Sequence, residues 1–121
     1  MTKAEAAGRR RIAVKYLEVA QIAATEDGPA INVAIGVAVL AGIAASDAIC
    51  GAALGERYAG QDHTAAVNVL KRVDAQLARK LKSLADMKPG SRYGDALLTA
   101  SDRDRAIKAA TDLVHAAAER T

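Results

Sequence analysis

Arg57 and His63 are the two side chains whose types and spacing suit chemistry best in this 121-residue chain. Five residues separate them, in a polar stretch that follows the longest apolar run. A guanidinium can hold a phosphate through two parallel hydrogen bonds, and an imidazole can transfer a proton near neutral pH. Together they could cleave RNA without a metal: His63 would move the proton of the 2′-hydroxyl or leaving group, and Arg57 would stabilise charge on the phosphorane. One Arg and one His at this spacing occur in many helical proteins, so the motif alone does not fix a function.

Other kinds of active site are excluded by the residues that they would need. The chain has no Gly-rich phosphate loop followed by Lys and Ser or Thr, and no serine in a nucleophile elbow. Its two histidines and single cysteine do not have zinc-ligand spacing. We therefore expect neither a metal site nor a cofactor.

The composition predicts one all-α domain over residues 1–121. Half of the residues are apolar, and these are Ala, Val, Leu and Ile, with no Phe, no Trp and three Tyr. Small aliphatic side chains let helices approach closely, whereas a β-sandwich normally carries more aromatic and β-branched residues. Cys50 is the single cysteine and cannot form an internal disulfide, so we expect a cytoplasmic location.

Apolar spacing and breaks predict an antiparallel, up-down four-helix bundle. The first helix covers about residues 4–25 and the second runs from Pro29 to about Arg57. The third covers residues 63–86, with Asp62 as its N-cap, and ends before a break at residues 88–91. A short extra helical segment at 93–98 precedes the last helix, which Ser101 and Asp104 open as a capping box.

The second helix is apolar nearly all round and is predicted to be the central one. Its apolar run is about 17 residues long before Asp47, shorter than the roughly 20 that a membrane span needs, so no membrane is expected. Gly51 and Gly55 form a small-residue groove that another helix, from this chain or from a second subunit, could approach closely. If the protein is a dimer, we expect the second helix or this groove to lie in the subunit contact. Asp47 needs a basic partner or a wet pocket, because an unpaired buried carboxylate is costly. Ten helical residues would place Asp47 about 15 Å from Arg57.

The third predicted helix and the break after it are strongly basic. Between residues 64 and 92 there are seven positive side chains and two acidic ones. A charge run on a helix is usually a solvated face, but a surface that faces phosphates is the alternative. The sequence leaves both interpretations open.

Three stretches resemble the HEPN family of small helical domains associated with nucleotides and RNA. Residues 46–55 are similar to the family's central helix, and Gly60 to His63 resembles a loop and helix start of many members. Residues 91–95, followed by Ser101, Asp102 and an Ala-rich helix, resemble the family's Arg-x-x-Ala-Asp-Tyr segment and closing helix. The likeness covers about residues 30–118.

The resemblance implies a helical bundle, often a homodimer, that is commonly encoded beside a small nucleotidyltransferase in toxin–antitoxin pairs. RNase members of the family carry an Arg followed by four to six residues and then a His, as Arg57 and His63 do here. Members without the motif are non-catalytic binding proteins. The candidate ligand-binding residues are Asp47, Asp62, Arg92 and Tyr93, and Arg57 and His63 are the candidate catalytic ones.

Three functions therefore stay open at this point. The first is a nucleotide- or RNA-phosphate-binding protein, and the second is a metal-independent endoribonuclease toxin that uses Arg57 and His63. The third is a protein-interaction module in which the polar cluster only caps helices.

Overall fold

The computed structural model describes residues 1–57, 62–93 and 97–121, with the backbone alone for residues 63 and 91–93. These residues form five helices and no strand, so the all-α prediction is confirmed. The helices are α1 (Lys3–Ala23), α2 (Pro29–Leu54), α3 (His63–Lys71), α4 (Ala75–Tyr93) and α5 (Ala100–Arg120).

Two capping boxes and one proline fix where three of the helices begin. Thr2 and Glu5 form the box that opens α1. Pro29 is the first residue of α2, where its missing N–H has no partner to lose. Thr99 and Asp102 form the box that opens α5, two residues before the predicted pair. The prediction of Ser101 and Asp104 was wrong because Thr99 fits the same pattern and starts the helix earlier.

The predicted third helix is in fact two helices that meet at Asp74. The Asp74 carboxylate accepts hydrogen bonds from the backbone N–H groups of Gln76 and Leu77, at 3.0 and 3.1 Å, and so caps α4. Arg120 holds the other carboxylate oxygen at 2.8 Å. The Leu77 N–H and then Arg120 lower the pKa of Asp74. The apolar spacing continues across the turn without interruption, which is why periodicity alone joined the two helices.

The predicted break at residues 88–91 was also wrong, because α4 continues through Pro89 to Tyr93. A proline within a helix removes one backbone hydrogen bond and crowds the preceding turn. Here it lies on the exposed side and only four residues from the end of α4. Of the extra helical segment predicted at 93–98, residues 97 and 98 are not helical and residues 94–96 lie outside the described ranges.

α2 is the centre of the fold and packs against α1, α4 and α5. Six of its fifteen buried residues are alanines and two are glycines, and these small residues allow the neighbouring helices to lie close. Gly42 marks the tightest approach: a Cβ at this position would lie 2.5 Å from Leu84 Cδ1 of α4 and 3.3 Å from Leu113 Cδ1 of α5. Both leucines are fully buried.

Length and composition would allow α2 to cross a membrane. In this fold, however, 72% of its most apolar 18-residue window is buried inside the protein. Burial against other helices is the pattern of a core helix, and the core position of α2 was predicted from its apolar surface.

Candidate functional site

Asp47 lies at the centre of a cluster that we call the double-arginine cluster, made of Arg9, Asp47 and Arg57. Asp47 is on α2 and is 9% exposed. Arg9 Nη2 of α1 donates to Asp47 Oδ2 at 3.1 Å, and Arg57 Nη1 donates to the same oxygen at 3.0 Å. Two guanidinium groups therefore share one carboxylate oxygen, so these three side chains carry one net positive charge, and Glu5 of α1 is a further acid that interacts with the charge of Arg57.

The end of α2 explains how Arg57 reaches Asp47. The helix stops at Leu54, and Gly55 adopts a left-handed conformation with φ of 71°. This conformation is accessible to glycine without steric strain, and it turns the chain back along the helix it has just left. The expected separation of 15 Å was wrong because it assumed that α2 continued to Arg57.

Arg9 is the member of the cluster that the sequence analysis missed. It lies 14 residues before the end of α1, and Asp47 lies 18 residues after the start of α2. In an antiparallel pair of helices, these two positions are within about one helical turn of each other along the axis. Counting outward from the predicted turn would have placed Arg9 near Asp47, and Arg9 is one basic partner that Asp47 was expected to need.

Burial and charge act on Asp47 in opposite directions. Burial raises the pKa of Asp47, and this outweighs the opposing effect of Arg9 and Arg57. The two arginine side chains are 28% and 39% exposed, so both reach the protein surface from the carboxylate. Arg9 Nε is buried and has no hydrogen-bond partner within the described part of the chain.

Asp62, the predicted N-cap of α3, does cap that helix. Its Oδ1 accepts from the N–H groups of Thr64 at 3.0 Å and Ala65 at 3.3 Å. The side chain remains exposed. Its proposed role in binding a ligand stays a prediction, since the described bonds of this carboxylate are to its own chain.

Three predicted site residues have side chains outside the described part of the structure. These are His63, Arg92 and Tyr93, of which the first begins α3 and the other two end α4. The structure therefore brings Asp47 and Arg57 together and adds Arg9. The pairing of Arg57 with His63 stays a prediction.

The groove at Gly51 is approached by another helix, as predicted, and this helix is α1 of the same chain. A Cβ on Gly51 would collide with Met1 Sδ and would lie 3.5 Å from Ala6 Cβ. The amino-terminal ammonium of Met1 donates to the Gly55 carbonyl at 2.5 Å. Within the described residues, the first turn of α1 thus covers the end of α2 next to Arg57.

No group of three or more His, Cys, Asp and Glu side chains could hold a metal ion within residues 1–57, 62–93 and 97–121. Comparison with protein-family models, with curated proteins and with solved structures finds no match to this chain. Its function must therefore be inferred from its own residues.

Proposed function

We propose that this chain is a cytoplasmic, HEPN-like helical bundle that binds a phosphate group of a nucleotide or RNA at the double-arginine cluster. The observation that carries the proposal is the sharing of Asp47 Oδ2 by Arg9 and Arg57. Each guanidinium has five N–H donors in a rigid fork that matches phosphate geometry. Asp47 Oδ2 accepts a hydrogen bond from one nitrogen of each arginine and so holds the two guanidinium groups next to each other. Their other N–H groups remain as possible donors to a phosphate.

A purely structural ion pair would need only one arginine. A single cation neutralises a buried carboxylate, and a second one adds positive charge where two side chains are already partly desolvated. A bound phosphate would supply the negative charge, together with acceptor oxygens for the parts of the two guanidinium groups that reach the surface.

Binding of 5′-AMP tests this proposal, with adenosine as the matched ligand that lacks phosphate. We expect Arg9→Gln and Arg57→Gln each to weaken 5′-AMP binding by about tenfold or more, because a charge-assisted hydrogen bond contributes about 1.5–3 kcal/mol. Isothermal titration calorimetry at low salt measures the affinities. Adenosine should bind no better than the background to any of these proteins.

Arg11→Gln is the control for this experiment. Arg11 lies on α1 two residues from Arg9, is exposed, and makes no ion pair within the described residues. Its replacement removes the same charge and should leave the affinity unchanged. Equal binding of 5′-AMP by all four proteins, or binding by none of them, would contradict the proposal.

The second candidate function is a metal-independent endoribonuclease that uses Arg57 and His63. It is favoured by the position of Arg57, which lies six residues before His63. The Arg57 side chain is 39% exposed and donates a hydrogen bond to Asp47. The resemblance would then make the chain a toxin whose cognate antitoxin is a nucleotidyltransferase-type protein. The third candidate, a protein-interaction module, is favoured by the cap that Asp62 forms on α3.

We also propose that the protein is a homodimer through the outer face of α1 and α2. Arg9 touches Asp47, so residues at helical spacing from each of them lie on adjoining faces. At 100° per residue, Ile12 and Val19 lie about 60° and 80° around α1 from Arg9. Val33 and Leu40 lie about 40° and 20° around α2 from Asp47. Ile12, Val19 and Val33 are 42%, 44% and 57% exposed. A second copy would cover this apolar face.

Sedimentation at micromolar concentration should give the mass of two chains for the wild type and of one chain for Val19→Lys. The control is Val14→Lys, since Val14 lies about 140° around α1 from Val19 at 100° per residue. A single-chain mass for the wild type would rule out the dimer at that concentration.

A further inference from the structure

α4 is flanked by two surface grooves that are lined with basic side chains. The groove between α3 and α4 has a volume of about 400 Å³, and its basic residues are Lys71, Arg79 and Lys82. The groove between α4 and α5 has a volume of about 810 Å³, and its basic residues are Arg79, Lys80, Arg105 and Lys108. Arg79 lines both grooves, so the two form one basic face across α4.

The face carries more positive charge than its acids can neutralise. Six different lining residues are basic, and four acids lie in or beside the grooves: Asp86 and Asp104 in the lining, and Asp102 and Asp112 next to it. Asp112 is shared by Lys80 and Lys108, Asp102 pairs with Arg105, and Asp86 pairs with Lys82 on the exposed side of α4. Ion pairs between exposed side chains contribute little stability, so an incoming phosphate can replace their carboxylates at small cost.

Lys71 and Arg79 are the two lining cations for which the described residues provide no ion pair. Both are exposed. Lys71 lines the α3–α4 groove from α3 and Arg79 lines it from α4, and the groove is also lined by the polar residues Thr64 and Asn68. These groups form a ready set of donors for phosphate oxygens.

The rest of the surface argues for nucleic acid over a membrane. A basic helix that docks on lipid normally has large apolar side chains beside its charges. Among the described residues, five of the six exposed large hydrophobics are on α1 and α2, and the sixth is Leu97 in the link before α5. The basic face therefore has charge without an apolar anchor, which suits a polyanion in water.

We propose that this face binds the backbone of a single-stranded polynucleotide. The inference rests on the proposed function for the class of ligand and extends it from one phosphate group to a chain of phosphates. A positively charged groove that follows the phosphate backbone is the usual binding surface for a single strand. No described residue that lines the two grooves is aromatic, so base stacking there contributes little, and binding should be independent of sequence and strongly dependent on salt.

Fluorescence anisotropy with a labelled 20-nucleotide single-stranded RNA tests this inference across a salt series. Six phosphate contacts predict a slope of log affinity against log salt of about −4, since each contact contributes about 0.7 for a single strand. Lys71→Gln with Arg79→Gln removes two contacts, so the slope should change to about −3 and the affinity at 0.1 M salt should fall about tenfold.

Lys3→Gln with Lys15→Gln is the matched control, because it removes the same charge from exposed positions on α1. This variant should keep the wild-type slope. Equal loss of RNA binding in both double variants would show a general charge effect and overturn the proposal. So would binding to vesicles with anionic lipid in preference to the RNA.

The RNA experiment also separates this inference from the phosphate site. Loss of 5′-AMP binding in Arg9→Gln, combined with unchanged RNA binding in the Lys71 and Arg79 variant, would keep the proposed function and reject the basic face. The reverse pattern would keep the basic face as a polynucleotide surface and reject the double-arginine cluster.

Discussion

Replacing Gly42 with valine should lower the free energy of unfolding by about 3 kcal/mol. A Cβ at position 42 would lie 2.5 Å from Leu84 Cδ1 and 3.3 Å from Leu113 Cδ1, and the γ-methyl groups of valine would extend further. Both leucines are fully buried, so neither can move into open space. Overpacking a dense core usually costs about 1–3 kcal/mol, and the slightly better helix propensity of valine offsets only a few tenths of this. Urea denaturation followed by circular dichroism measures the change.

Gly51→Ala is the control for Gly42→Val, because its new Cβ meets a movable group. The colliding atom is Sδ of Met1, at the end of a flexible and half-buried side chain. We expect Gly51→Ala to change the free energy of unfolding by less than about 1 kcal/mol, since alanine also favours the helix. Adding Leu84→Ala to the Gly42→Val protein should restore part of the lost stability, because it removes the Cδ1 atom that the valine would contact. A Gly42→Val protein as stable as the wild type would show that α4 and α5 can move away from α2.

Removing the imidazole of His63 should reduce any RNA cleavage that the wild type shows in EDTA by at least about 100-fold. A general acid–base side chain contributes typically 10²–10⁴-fold to a rate. Arg57→Ala should have an effect of similar size, because stabilisation of developing charge on the phosphorane is often the largest single contribution. Initial rates on a labelled RNA, with EDTA present throughout, provide the measurement.

His115→Ala is the control for this experiment. His115 is the other histidine of the chain and lies exposed on α5. Its loss should leave the rate unchanged. Cleavage that persists in both Arg57→Ala and His63→Ala would reject this pair as the catalytic site. Absence of cleavage by all four proteins would leave phosphate binding as the function to be pursued.

The sequence predicted the helical elements well where apolar spacing and a clear break coincided. Gly28 and Pro29 separate α1 from α2, and the surface of α2 identified it as the central helix. The turn at Asp74 was missed because a single capping carboxylate inside a regular apolar pattern gives no break in periodicity. Pro89 misled because a proline weakens or kinks a helix without necessarily ending it, and here it lies on the exposed side of α4.

The candidate site was harder to predict than the fold because it depends on how two chain reversals combine. The need of Asp47 for a basic partner followed from burial alone. The identity of the partners did not follow from burial. The turn at Gly28 brings Arg9 to Asp47, and the left-handed conformation of Gly55 brings Arg57 to it. Some glycines only end a helix. Others, such as Gly55, also direct the following side chains back onto the surface of that helix, and the sequence does not distinguish the two cases.

Cys50 gives this protein a practical property that the functional proposals do not use. It is 2% exposed in the core beside Ser46, and burial raises the pKa of its thiol. Thiol reagents attack the thiolate, so the native cysteine is a poor target for them. A cysteine introduced on the surface, for example at Arg79, would then be the only readily modified thiol. The wild-type sequence thus offers a near-silent background for attaching a spectroscopic probe beside either groove.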